Sequence, residues 1–259
     1  MHRLFAIGDI HGHFAELTRL VDTLVKEAGL DPDSDTVVFL GDYVDGGPAT
    51  RQVVDQLMAW HERYPHWVFL KGNHEDLMLD ALVYNNRTYG DYFLWWNQGG
   101  RATAHSYLPP DASDYDRAIM QPAEFIATDH LEWLNTRSLT HEQDGYLFVH
   151  AGFRPPYHLD AQREEDMLWI REGFFERRFN FGKPVVFGHT PFAEPRVFHD
   201  ERPGHTGDIV AIGIDTMFHD FGKLTAVELD PADRRVDLAF FFSHTSPGDD
   251  HAADGPRDV

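Results

Sequence analysis

An α/β fold of two mixed sheets packed face to face, with helices outside, is what this sequence predicts. Three observations carry it. Short apolar runs alternate with stretches of helical spacing, the runs end beside glycines followed by carboxylates, amides and imidazoles, and no linker-like stretch interrupts residues 1–242. One domain over 1–242 is expected, followed by a flexible, dispensable acidic tail, 243–259.

Leu4–Ile7, Val37–Leu40 and Val68–Leu70 are compact enough to be strands, each with a glycine just beyond it. Between them, Phe14–Ala28 carries Leu17, Leu20, Val21, Leu24 and Val25 at helical spacing, and Thr50–Trp60 carries Val53, Val54, Leu57 and Met58. Strand, helix, strand, helix, strand implies parallel pairing through right-handed crossovers, and such sheets hold ligands in the loops beyond their carboxyl ends. Tyr146–Val149, Val185–Phe187 and Val236–Phe242 are the later strand patterns. The first sheet is expected from the opening unit and the second from these later strands, with the site across their shared edge.

Composition narrows the chemistry. With 42% hydrophobic residues in a 259-residue chain, a sizeable core can be buried. A formal charge of -21 would repel a polyanionic backbone, which argues against duplex nucleic acid as a partner. Cysteine is absent, so any metal or covalent chemistry must use His, carboxylates, amides or hydroxyls. No window approaches the length of a membrane-spanning segment, and Met1–Asp9 reaches charge too early for a signal peptide; a soluble, unsecreted, cytoplasmic protein is expected.

The strand-end loops read Gly8-Asp9-Ile10-His11-Gly12, Gly41-Asp42-Tyr43-Val44-Asp45-Gly46, Gly72-Asn73-His74-Glu75, His150-Ala151-Gly152 and Gly188-His189-Thr190. Carboxylate, amide oxygen and neutral imidazole together suit manganese, iron, zinc, cobalt or nickel. One ion does not need so many donors. A pair about 3.5–4 Å apart, sharing a carboxylate, does.

In that order these motifs resemble the metallophosphoesterase superfamily, and GNHE with HAG is similar to the PPP family of phosphoprotein phosphatases. Leu168-Trp169-Ile170-Arg171-Glu172, Ile214-Asp215-Thr216 and Gly222-Lys223-Leu224-Thr225-Ala226 resemble bacterial members, and the likeness runs from residue 7 to about residue 229. It implies a calcineurin-like fold and two divalent ions, with manganese expected. By resemblance, Asp9 and His11 hold the first ion, Asp42 bridges, and Asn73, His150 and His189 complete the second. His74 would protonate the leaving oxygen, Asp45 would orient His74, and Arg171 would neutralise the phosphoryl oxygens during in-line attack by a metal-bridging hydroxide. The implied activity is hydrolysis of phosphoserine and phosphothreonine, with phosphotyrosine as a further substrate. A symmetrical diadenosine tetraphosphatase or small phosphodiesterase is the alternative.

One position departs from the family. Where Asp-Arg-Gly is usual, this chain has Asp45-Gly46-Gly47 and lacks one of two arginines that clamp phosphate. Arg51 is the nearest replacement in sequence, although an exposed helix arginine would read the same way. Loss of that arginine also admits a phosphate-sensing module without turnover. A core Trp169 followed by a salt-bridged arginine would also read WIRE. The aromatic and amide-rich stretch 84–100 is expected to pack, with a wall over the metals as the alternative.

Overall fold

The chain opens with β1 (Leu4–Ile7), α1 (Phe14–Thr23, continued by a π-turn to Ala28), β2 (Thr36–Phe39), α2 (Thr50–Arg63) and β3 (Val68–Phe69). This order is taken from a computed structural model, which describes residues 2–83, 89–113, 121–216, 222–230 and 239–244. Next come α3 (Asn73–Leu82), α4 (Tyr89–Trp95), a π-turn (Trp96–Gly100), α5 (Arg101–Ser106) and α6 (Thr128–Asn135). The second half holds β4 (Thr140–Gln143), β5 (Tyr146–Val149), α7 (Glu164–Trp169), α8 (Glu172–Phe175), β6 (Val185–Phe187), β7 (Arg196–His199), β8 (Ile209–Gly213), β9 (Lys223–Leu229) and β10 (Ala239–His244).

Two five-stranded mixed sheets result, ordered β10-β9-β1-β2-β3 and β4-β5-β6-β8-β7. In the first, β1, β2 and β3 are parallel, with Ile7 opposite Phe39 and Val38 opposite Val68. In the second, β5, β6 and β8 are parallel. Alternate residues explain the unbroken apolar runs, since β1, β2, β5, β6 and β8 are buried on both faces. Leu4, Ala6, Val38 and Leu40 meet Tyr146, Phe148, Val186 and Ile212 between the sheets. Phe5, Ile7, Val37 and Phe39 face the helices through Leu17, Leu20, Val53 and Leu57. On the outer side of the second sheet, Val185, Phe187 and Ala211 pack against Phe174, Phe175 and Phe198.

One expectation is corrected. The last strands do not extend the second sheet: β9 returns to pair antiparallel with β1, from Leu4 opposite Leu229 to Ile7 opposite Ala226, and β10 pairs with β9. The physical reason is that β1, with both faces buried, would otherwise leave a row of unpaired backbone groups at a sheet edge. The final strand also passes the expected boundary at residue 242, because Phe242, Ser243 and His244 pair with Thr225, Leu224 and Lys223. The tail beyond His244 and the 84–88 part of the aromatic stretch lie outside the described residues.

Candidate metal centre

The carboxyl ends of β1, β2, β5 and β6 and the start of α3 converge. His150 Nε2 lies 2.8 Å from Asn73 Oδ1 and 3.4 Å from Asp42 Oδ1, and His189 Nδ1 lies 2.8 Å from the same Asn73 oxygen. His11 Nε2 lies 3.5 Å from Asp42 Oδ2. Asp9 accepts the His189 backbone N–H at 2.9 Å through Oδ2. Two triads with metal-ligand spacing emerge among the described residues, His11–Asp42–His74 and Asp42–His150–His189, and Asp42 belongs to both. All six residues expected as ligands are therefore brought together.

The donor set fits cations. His150 Nδ1–H donates to the Leu40 carbonyl (2.9 Å) and His11 Nδ1–H to that of Val44 (3.1 Å), so each neutral ring turns its Nε2 lone pair toward the centre. Lone pairs of His150 and Asn73 and an Asp42 oxygen then face one another, an arrangement that positive charge relieves. Asp9 Oδ1 is buried with no hydrogen-bond partner. Burial, then Asp215 and Asp42, pushes the Asp9 carboxyl well above the usual carboxylate range, a shift that a bound divalent ion would reverse. Asp42 is also buried, which raises it, but His150, His74, His11 and His189 outweigh that and hold it below the usual range.

Backbone strain is concentrated here. Of the non-glycine residues with positive φ among those described, His11, Asp42, Asp45 and His189 all belong to the site, with φ of 47°, 51°, 68° and 59°. Each costs about 1–3 kcal/mol and persists only where its surroundings over-determine it. Glu75 supplies part of that determination: its buried carboxylate accepts backbone N–H groups from Asp42 (2.8 Å), Tyr43 (2.7 Å), Val44 (3.2 Å) and Gly72 (2.8 Å). One side chain thereby ties the loop after β2 to the start of α3.

Beside the triads, His74 Nδ1–H donates to Asp45 Oδ2 at 2.9 Å, and the His74 backbone N–H donates to Asp42 Oδ1 at 3.0 Å. Burial lowers the affinity of His74 for a proton, but Asp42 and Asp45 together outweigh it and push the pKa to about 9. Arg171 Nη1 donates to the His189 carbonyl at 3.1 Å, which places the guanidinium at the rim of the centre. Trp169 is not a core residue: it is 41% exposed, with its ring edge-on to His189 at 6.0 Å. Arg51 is not brought to the centre. It is exposed on α2, 3.8 Å from Asp55 one turn on.

Residues 2–245 match the calcineurin-like phosphoesterase family. The chain belongs to that family. This phosphoesterase is 28% identical over 216 residues to serine/threonine-protein phosphatase 1 of Salmonella typhimurium, covering 80% of the present chain and 87% of that relative. It is 30% identical over 164 residues to a symmetrical bis(5'-nucleosyl)-tetraphosphatase of Methylococcus capsulatus, covering 61% of the chain but only 46% of that relative. Among solved structures it superposes on a putative diadenosine tetraphosphatase with a TM-score of 0.63 over 95% of both chains, at 18% identity, a likeness of fold. No helix among the described residues is long and apolar enough to cross a membrane.

Three residues had no role in the sequence reading. Glu75 carries a signal, lying three residues after the helix-capping Gly72. Trp95 lies in the aromatic stretch expected to pack and Thr103 in the helix after it, and neither announces in sequence its bond to Asp45.

Proposed function

We propose that this phosphoesterase is a phosphomonoesterase acting on phosphoserine and phosphothreonine in proteins, with phosphotyrosine as a further substrate. The observation that carries the reading is the likeness to the Salmonella phosphatase over 87% of that protein's length, where the nucleotide-cleaving relative is matched over less than half. Asp9, His11, Asp42, Asn73, His150 and His189 would hold two divalent ions, with manganese as the proposed metal. When bound, such ions supply Lewis acidity and charge against phosphoryl oxygens.

The chain's own groups do the rest. Arg171, anchored on the His189 carbonyl, offers its remaining N–H groups to a phosphoryl oxygen. Asp45 accepts from Nδ1–H of the protonated His74 ring, which leaves Nε2–H as the group that gives a proton to the leaving oxygen. Gly46 contributes no cation, so Arg171 carries the phosphate contact without a second guanidinium.

A nucleotide substrate is the second reading. It is supported by the 30% identity to the tetraphosphatase and by the exposed ring of Trp169 beside His189, a surface on which a base could stack. Turnover of a mixture of phosphoserine, phosphothreonine and phosphotyrosine peptides with diadenosine tetraphosphate by manganese-loaded protein separates the two. Dephosphorylated peptide with intact dinucleotide is the expected result. ADP as the main product would replace the protein-phosphatase reading with the nucleotide one, and no turnover with metal bound would replace both with a phosphate-sensing module.

A further inference from the structure

Asp45 is fully buried, and its carboxylate is claimed on both sides. Oδ2 faces His74. Oδ1 accepts the Trp95 indole N–H at 3.0 Å and the Thr103 hydroxyl at 2.8 Å. Thr103 Oγ1 in turn accepts the Asp45 backbone N–H at 2.8 Å and lies 3.2 Å from Thr50 Oγ1, so its single proton is committed to Asp45. The same segment touches the next residue, since the Gly46 N–H donates to the Gly99 carbonyl at 3.3 Å. A Cβ on Gly99 would stand 2.6 Å from the Gly46 nitrogen, and its φ is 106°, so only glycine fits there. Trp95 is itself fully buried against Gly100 and the ring of Tyr92, which stops the indole from turning away.

We infer that Trp95 and Thr103 are positioning residues: by occupying Asp45 Oδ1 they leave Oδ2 to accept from His74 Nδ1–H, and so set the direction in which the proton donor points its Nε2–H. The inference rests on the reading of His74 as that donor. It makes the segment 95–103 part of the hydrolytic apparatus, although it holds no expected ligand. A carboxylate free to rotate between rotamers would orient imidazole poorly; one saturated at Oδ1 cannot do so without breaking two buried bonds.

The test uses the full chain loaded with manganese, with 4-nitrophenyl phosphate, whose leaving group needs no proton, and phenyl phosphate, whose leaving group does. Trp95→Phe is expected to lower kcat/KM for phenyl phosphate about tenfold, to change that for 4-nitrophenyl phosphate less than about twofold, and to keep the metal content. In a His74→Asn background the same substitution should change neither substrate further. Equal losses on both substrates, or an undiminished effect in the His74→Asn background, would overturn the inference alone. A His74→Asn variant that slows both substrates equally would overturn the proton-donor reading and the inference with it. Thr103→Val removes the second donor at nearly constant volume and carries the test if Trp95→Phe does not fold.

Discussion

The strand-end loops and the segment 95–103 reach the same few ångströms of space by different routes. The loops arrive by local geometry: parallel strands stop in register, and the residue after each stop is aimed at the sheet edge. Trp95 and Thr103 arrive by packing, on short helices with an aromatic cluster of Tyr92, Trp95 and Trp96 behind them. The first region concentrates charge and the second delivers only neutral donors. Charge is therefore assembled at the strand ends, and its orientation is adjusted by two neutral donors, Trp95 and Thr103.

Four substitutions probe that contrast. The largest effect is expected from Asp42→Asn, which takes one negative charge from the residue common to both triads. Most bound metal should be lost, and kcat/KM should fall about a thousandfold or more, read by elemental analysis and steady-state kinetics. Retained activity with two ions per chain would dissolve the difference between the regions.

Glu75→Gln comes next. The amide cannot accept from all of the four backbone donors that now meet the carboxylate. A loss of about 2–4 kcal/mol, or roughly 5–10 °C in Tm, should appear in thermal unfolding of the metal-free protein. An unchanged Tm would mean that the strained loop after β2 is held by something other than this side chain.

Gly46→Arg restores the arginine usual in the family, at a position with φ of 82°. A side chain there is strained by about 1–2 kcal/mol, and the Gly99 backbone is already hydrogen-bonded to it. Lower stability with no gain in kcat/KM is expected; a faster enzyme would show that segment 95–103 yields readily to the loop.

The smallest effect belongs to Arg51→Ala. With its guanidinium exposed and 3.8 Å from Asp55, kcat/KM should change less than about twofold. A tenfold loss would make Arg51 the missing phosphate contact.

What could be read from the sequence follows the same division. That Asp9, His11, Asp42, Asn73, His150 and His189 converge was legible because each lies within a few residues of a strand end that a short apolar run announces. The opening sheet was legible in part: β1, β2 and β3 stand out by periodicity, but periodicity says nothing of which edge a distant strand will choose, so the return of β9 to β1 was missed. Trp95 and Thr103 were hidden for a related reason. A buried tryptophan in an aromatic stretch reads as packing material, and only the fold reveals that its one polar atom meets Asp45. For Arg51 the sequence offered a phosphate contact or an exposed helix arginine, and the structure shows it exposed and beside Asp55.

The pairing of β1 with β9 bears on the order in which the molecule comes together. Leu4 waits for Leu229, so the strand that aims Asp9 lacks one neighbour until nearly the whole chain is available. Closing so long a loop is among the slower steps of folding. An emerging chain can align β1, β2 and β3 early, yet Asp9 gains its backbone partner His189 and its flanking strand only near the end. The surroundings of Asp9 are therefore completed only by the second half of the chain.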